Sequence, residues 1–451
     1  MTSHPLPQAA TLKRPPSAAG YSMVELLVAL ALGALLLLGI VQVFTGNSAA
    51  YRLNAAQTRA QEAGRYAAQV LARDLRMDRI TGCSSLAMDQ MRQSLNTVAC
   101  SLMKGTTCAT GTSAIGTASA LGYSASSVKS GDLSDLPGGA QKAIKDGWVG
   151  GDVLVSWGVT GDGFYAENNI LSEARNEPIT LLNASADVLT AAGLAPGHLA
   201  LITDCVGSDV FSVTGEGNTK SLGHTDERNK DATLSRAYNW REITNNAVDV
   251  SVPGPSIRAR VFPFDFRVYF ICCVDQETGE TQDTADNVTK NCRAFKMEEG
   301  ASKPNDTYDP VKFRPALCRW SASNQKVESL VMDVADLRVT YDGALNLGLQ
   351  TPTGETTKKV TQQRLRDKAG DALVDADWMT TNNYWDRVDT VRIQLLATST
   401  DEVGTAKRQY SGGNSLGDGL PDDRRIYEPI GLTVTTRATS DWFLRYENTY
   451  K

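Results

Sequence analysis

From Leu26 to Tyr51 the chain carries no charged residue, and a glutamate, Glu25, stands at the edge of that run. About 20 mainly apolar residues suffice to cross a bilayer as a helix, so the segment predicts one membrane crossing near the N-terminus. Over the whole chain 41% of residues are hydrophobic and 21% charged, ordinary for a soluble fold; the apolar excess is local. Residues 1–20 are polar, contain prolines and end in Gly20, with Lys13 and Arg14 the only Lys or Arg ahead of Glu25. Positive charge flanking a membrane helix favours the cytoplasmic side, which sends the rest of the chain to the opposite face. Glu25 is the anomaly, because a carboxylate at hydrocarbon depth is costly unless a partner neutralises it. A cut after Gly20 would supply one. The new amine on Tyr21 would lie one helical turn from Glu25 and could also reach the Glu25 of a neighbouring chain.

The pattern Gly20-Tyr21-Ser22-Met23-Val24-Glu25-Leu26-Leu27 resembles the class III signal of type IV prepilins and type II secretion pseudopilins. The resemblance implies that a prepilin peptidase cuts between Gly20 and Tyr21, that Tyr21 is N-methylated, and that Glu25 supports filament assembly. Tyr21 stands where phenylalanine is usual and keeps an aromatic ring. Two other readings compete. A secretory signal would use the small residues Ser48-Ala49-Ala50 as its cleavage site, but has no use for Glu25 or for Gly-Tyr-Ser ahead of the core. A plain single-pass anchor would use Glu25 only as an acidic residue in a helix's first turn.

Beyond the apolar run, residues 48–80 contain no proline and one glycine, Gly64. Tyr66 with Val70, and Ala67 with Leu71 and Leu75, recur at i, i+4 and predict one apolar face opposite Arg65, Arg73 and Asp74. A helix from Val24 to about Ile80 would be roughly 85 Å long, with its second half lying on the protein's own sheet. Residues 84–150 are rich in Ser, Thr, Gly and Ala and predict mainly loops. Alternation and β-propensity predict strands over 153–157, 199–203, 210–214, 264–271, 337–341, 388–396 and 432–436. Phe264, Phe266, Val268 and Phe270 fall on one face of their strand, with Asp265, Arg267 and Tyr269 on the other. No strong helical pattern separates these strands, so the sheet is expected to be antiparallel or mixed. The fold class is α+β. Its divisions are a leader over 1–20, a transmembrane or filament-core helix over 21–47, its amphipathic continuation over 48–82, and a periplasmic globular head with long loop insertions over 83–451.

Little points to chemistry. The 45 Lys+Arg and 51 Asp+Glu give a net charge of -6, with no basic patch to suggest nucleic acid. Of the three histidines, His4 lies in the leader, and His198 and His224 are expected in loops or on the surface rather than as general bases. No motif of a serine hydrolase, zinc protease or P-loop nucleotide enzyme is present. Asp418, Asp422 and Asp423 superficially suggest a calcium loop, but their spacing is not that of an EF-hand, and a solvated acidic turn is expected. No enzyme, cofactor or metal is predicted. The eight cysteines, Cys83, Cys100, Cys108, Cys205, Cys272, Cys273, Cys292 and Cys318, all follow the apolar run, as disulfides in an oxidising compartment would; none has zinc-ligand spacing. Free, buried cysteines are the plainer alternative.

Several segments resemble the PilW family of minor pilins: 62–67 with 71–77 and Gly82-Cys83, 201–205 with 209–211, Leu317-Cys318-Arg319-Trp320, the strand pairs 327–341 and 385–396, and Asp423-Arg424-Arg425 before a final strand. The stretches 84–150, 274–312 and 343–380 match nothing recognised and read as insertions. The resemblance implies a minor pilin of the type IV pilus that initiates or caps the filament with other minor pilins and the major pilin. It implies insertion in the inner membrane, dependence on the inner-membrane pilus assembly machinery, and a final place on the pilus at the cell surface, with adhesion and twitching motility as consequences. A J-type minor pseudopilin of type II secretion is the alternative, and an anchored periplasmic enzyme or binding module a distant one. Proximity and the resemblance together suggest Cys100 with Cys108, Cys83 with Cys205, and pairing of Cys272, Cys273, Cys292 and Cys318 among themselves. The adjacent pair would take different partners, since a bond between neighbours strains the backbone.

Overall fold

The structure, a computed structural model, describes residues 22–77, 95–97, 121–133, 136–171, 174–204, 208–215, 220–224, 229, 234, 236–238, 241–244, 247–249, 256–282, 312–345, 363–364, 373–382, 384–385, 388–404, 416, 420 and 423–435. The chain divides into two compact units, Met1–Ala55 and Ala56–Lys451. Helix α1, Met23–Arg76, supplies residues to both.

In the second unit α1 buries Ala60, Gly64, Ala67, Ala68, Leu71, Ala72 and Leu75, the spacing of a single helical stripe. Small residues in that stripe let the helix backbone come close to the sheet beneath. A Cβ placed on Gly64 would overlap the Ile430 side chain and lie 3.2 Å from the Ala397 Cβ. The expected face therefore holds for Ala67, Leu71 and Leu75, but Tyr66 is 57% exposed. At 3.6 residues per turn it sits about 100° round the helix from Ala67, outside the buried stripe.

Six strands build most of a nine-stranded sheet: β1 (Trp148–Val159), β2 (Leu199–Thr203), β3 (Ser208–Ser212), β4 (Arg260–Asp275), β5 (Phe313–Ser321) and β6 (Lys326–Met332). Strand β4 is the axis. One edge pairs with β1 through Phe264 to Cys272, while the other pairs with β2 through Arg260 to Phe264 and with β5 through Arg267 to Asp275. All these pairings are antiparallel; the short strand Leu95–Thr97 is parallel to β3. A second sheet contains β7 (Val334–Leu345), β8 (Val388–Thr398) and β9 (Tyr427–Thr435), antiparallel in that order. One apolar core joins the buried stripe of α1 to both sheets, and a separate cluster surrounds Phe211, Leu234 and Tyr238. Where the sheets meet, Asp152 of β1 accepts the Val339 N–H at 2.9 Å and the Ala125 N–H at 3.0 Å, with Arg338 3.4 Å away. Gly151, at φ +77°, makes the approach possible, since a Cβ there would lie 2.8 Å from the Leu337 carbonyl oxygen.

The described part of 84–150 departs from the loop expectation. It holds α2 (Ala125–Ser130) and α3 (Gly138–Gly147). Helix α2 is fixed by its ends: Ser124 Oγ accepts the Ser127 N–H, and Gly131 closes the last turn in the left-handed conformation. Helix α3 buries Ala140, Ile144 and Gly147. A Cβ on Gly147 would touch Phe270 at 3.6 Å, and one on Gly139 would reach Trp320 at 2.9 Å. Thus α3 covers the phenylalanine face of β4 with small residues, which is why composition hid it. Two further short helices are α4 (Ala186–Ala191) and α5 (Ala376–Asn382). Asp377 of α5 accepts the hydroxyls of Ser124, Ser126 and Ser127 at 2.6, 2.8 and 2.6 Å. Burial opposes its ionisation, but these three donors hold its carboxyl below the ordinary range.

Candidate functional site

Helix α1 starts immediately after Ser22. The Ser22 hydroxyl accepts the Glu25 N–H at 3.2 Å and its carbonyl accepts the Leu26 N–H at 3.2 Å. Ser22 is thus the N-cap and Glu25 the third helical residue, where negative charge is favoured by the helix dipole. Glu25 is exposed, and its carboxylate makes no ion pair with a described residue. None of the most apolar stretch of α1 is buried. Leu36 is 69% and Phe44 73% exposed. So large an uncovered apolar surface calls for lipid or protein around it. Gly20 and Tyr21 lie outside the described residues. Ser48, Ala49 and Ala50 lie inside unbroken helix.

The other end of α1 carries a site that the sequence reading missed. Asp74, assigned there to the polar face, points into the sheet. Its side chain is 13% exposed, accepts the Tyr269 hydroxyl, and pairs with Arg267 at 3.2 Å and Arg319 at 3.5 Å. Each arginine has a second carboxylate: Asp265 is 3.1 Å from Arg267, and Glu328 is 2.9 Å from Arg319. Ser321 donates its hydroxyl to Asp265. Burial, and then the adjacent Asp74 carboxylate, push the Tyr269 hydroxyl well above the ordinary tyrosine range. Two clues existed in the sequence. Asp74 and Arg319 fall in two of the separate segments quoted for the family resemblance, and Arg267 and Tyr269 share the polar face of their strand.

Three of the eight cysteines are described. Cys272 and Cys318 are disulfide-bonded across β4 and β5, with Cα atoms 5.8 Å apart, and Cys273 is disulfide-bonded as well. The expectations for Cys83, Cys100, Cys108, Cys205 and Cys292 fall outside the described residues. His198 and His224 both lie in loops, as expected, and neither is exposed. His224 is fully buried edge-on against Phe211 and donates Nε2–H to the Glu177 carbonyl at 3.0 Å. His198 is half-buried and donates Nδ1–H to Gly193. Both shape loops that pack against β2 and β3. Asp423 accepts the Arg425 N–H at 3.0 Å and the Tyr427 hydroxyl at 3.1 Å, which makes it part of a turn; Asp418 and Asp422 are outside the described residues. Among the described residues no group of three or more His, Cys, Asp or Glu side chains is placed to hold a metal ion.

Residues 16–41 match the family described as prokaryotic N-terminal methylation motif. The match spans the predicted cut, the Ser22 cap, Glu25 and the first part of the apolar helix. No curated protein and no solved structure matches the chain. The methylation motif, which runs into an apolar helix long enough to cross a membrane, the one such helix among the described residues, supports a type IV pilin-like or pseudopilin-like protein.

Proposed function

We propose that the chain is a PilW-type minor pilin that helps initiate or cap a type IV pilus. It is cut between Gly20 and Tyr21 by prepilin peptidase, N-methylated on Tyr21, and held in the inner membrane with its head in the periplasm until the assembly machinery draws it into the filament with other minor pilins and the major pilin. The observation that carries the reading is Glu25: a carboxylate without a described partner, in the capped first turn of an uncovered apolar helix, inside the methylation motif. Such a charge requires a cation on removal from water, and the amine released at Tyr21 supplies one on the same chain or a neighbouring one. The head contributes a docking surface rather than chemistry, and adhesion and twitching motility follow from a complete pilus.

Mass spectrometry of the protein from its host should find N-methyl-Tyr21 as the first residue; an N-terminus at Met1 or Tyr51 would end this reading. Glu25→Ala should leave the head folded and sharply reduce piliation, and normal piliation would remove the assembly role. The methylation signal is shared with pseudopilins, so a deletion strain that keeps its pili but loses type II secretion would assign the chain to the secretion system instead.

A further inference from the structure

The last turns of α1, the end of β1 and Leu432 of β9 line an open cleft of about 690 Å³. Ala72, Val159 and Leu432 give it apolar walls. Arg267 lines it too, already engaged by Asp74 and Asp265. Arg73 and Arg76 also line it, with Thr160 among the remaining lining residues; both arginines are exposed, and neither has an ion-pair partner among the described residues. The one lining carboxylate, Asp74, is held by Tyr269, Arg267 and Arg319. The cleft is therefore locally cationic in a chain whose net charge is -6, with two guanidinium groups, unpaired among the described residues, beside an apolar floor and able to form bidentate pairs.

We infer that this cleft docks an acidic peptide segment carrying one apolar anchor, presented by the head of a second pilin-like subunit. The identity of the subunit rests on the pilin reading; the chemistry of the segment does not. Carboxylates of the segment pair with Arg73 and Arg76, and its apolar side chain lies against Ala72, Val159 and Leu432. The two arginines also complement the C-terminal dipole of α1. That role alone would give no saturable binding.

The test uses the full chain in detergent micelles and a fluorescein-labelled peptide, Glu-Asp-Leu-Asp-Glu, followed by anisotropy. Saturable, salt-sensitive binding is expected, weakened at least tenfold in Arg73→Glu/Arg76→Glu, with the fold of the variant checked by near-ultraviolet circular dichroism because two acidic residues there oppose the C-terminal dipole of α1. Thr160→Trp, which fills the cleft from its rim without changing charge, should weaken binding to a similar extent. The variant Arg73→Glu/Arg76→Glu should in turn bind Lys-Lys-Leu-Lys-Lys. Absence of saturable binding to the wild type, or binding that survives Thr160→Trp unchanged, would overturn the inference. The second result would show that the arginines attract anions without a shaped site. Neither result bears on the N-terminus found at Tyr21, so failure here is separable from failure of the pilin reading.

Discussion

Asp74→Ala is the sharpest test of how α1 is fastened to the head. The carboxylate accepts a hydrogen bond from Tyr269, which is fully buried, and stands 3.2 and 3.5 Å from two arginines. Removing it leaves the Tyr269 hydroxyl without that acceptor, a loss of about 1–3 kcal/mol for a buried polar group. Breaking a buried ion pair outright costs about 3–5 kcal/mol when a lone charge remains. Here Arg267 keeps Asp265 and Arg319 keeps Glu328, so the loss should fall near the lower end, about 3 kcal/mol. Urea unfolding of the full chain in micelles, read by near-ultraviolet circular dichroism of the head, should show a lower midpoint with an unchanged slope. Asp74→Asn retains an acceptor for Tyr269 and should lose about half as much. Combining Asp74→Ala with Tyr269→Phe should be less than additive by about 1 kcal/mol. A loss under about 0.5 kcal/mol for Asp74→Ala, or strict additivity with Tyr269→Phe, would refute the reasoning and leave the apolar stripe as the fastener.

Other perturbations read different parts of the fold. Gly64→Val should destabilise the head by about 1–3 kcal/mol through overpacking against Ile430 and Ala397, measured as the same urea midpoint. Cys318→Ser opens a bond that closes a sequence separation of 46 residues, worth about 4 kcal/mol in the chain-entropy account; non-reducing peptide mapping of the wild type should recover Cys272 linked to Cys318. Burial and a nearby carboxylate raise the hydroxyls of both Tyr269 and Tyr427. The unfolded chain ionises these groups near pH 10 while the folded one retains their protons. Their contribution is therefore complete below about pH 10 and is lost as pH rises further. Tyr427→Phe should flatten that alkaline decline in thermal melts.

The parts of the fold set by short-range pattern were legible in the sequence. Charge-free length announced the apolar half of α1, and period-2 alternation located β4, because both signals arise within one segment. What was hidden depends on residues distant in sequence. Small residues such as Ala140 and Gly147 carry no hydrophobic signature, yet they are what fits α3 against Phe270 and Trp320. Recurrence at i, i+4 fixes a stripe only to within about one residue's rotation, so it places Tyr66 on the same face as Ala67. Nothing in the local sequence marks Gly64 as a point of close contact, yet a Cβ there would overlap the Ile430 side chain of the sheet.

Asp74 shows the same limit at a site. A lone acidic residue between Arg73 and Leu75 looks like solvent-facing charge, since helix surfaces are ordinarily built that way. Its partners, Arg267, Tyr269 and Arg319, are 193, 195 and 245 positions away along the chain, and only the pairing of β4 with β5 brings the two arginines side by side. Once they are adjacent, an apolar residue at position 74 would leave Tyr269 without that acceptor, and a basic one would place three cations together. The carboxylate is thus dictated by the sheet, while the exposed Arg73 and Arg76 beside it, unpaired among the described residues, are not needed for that packing.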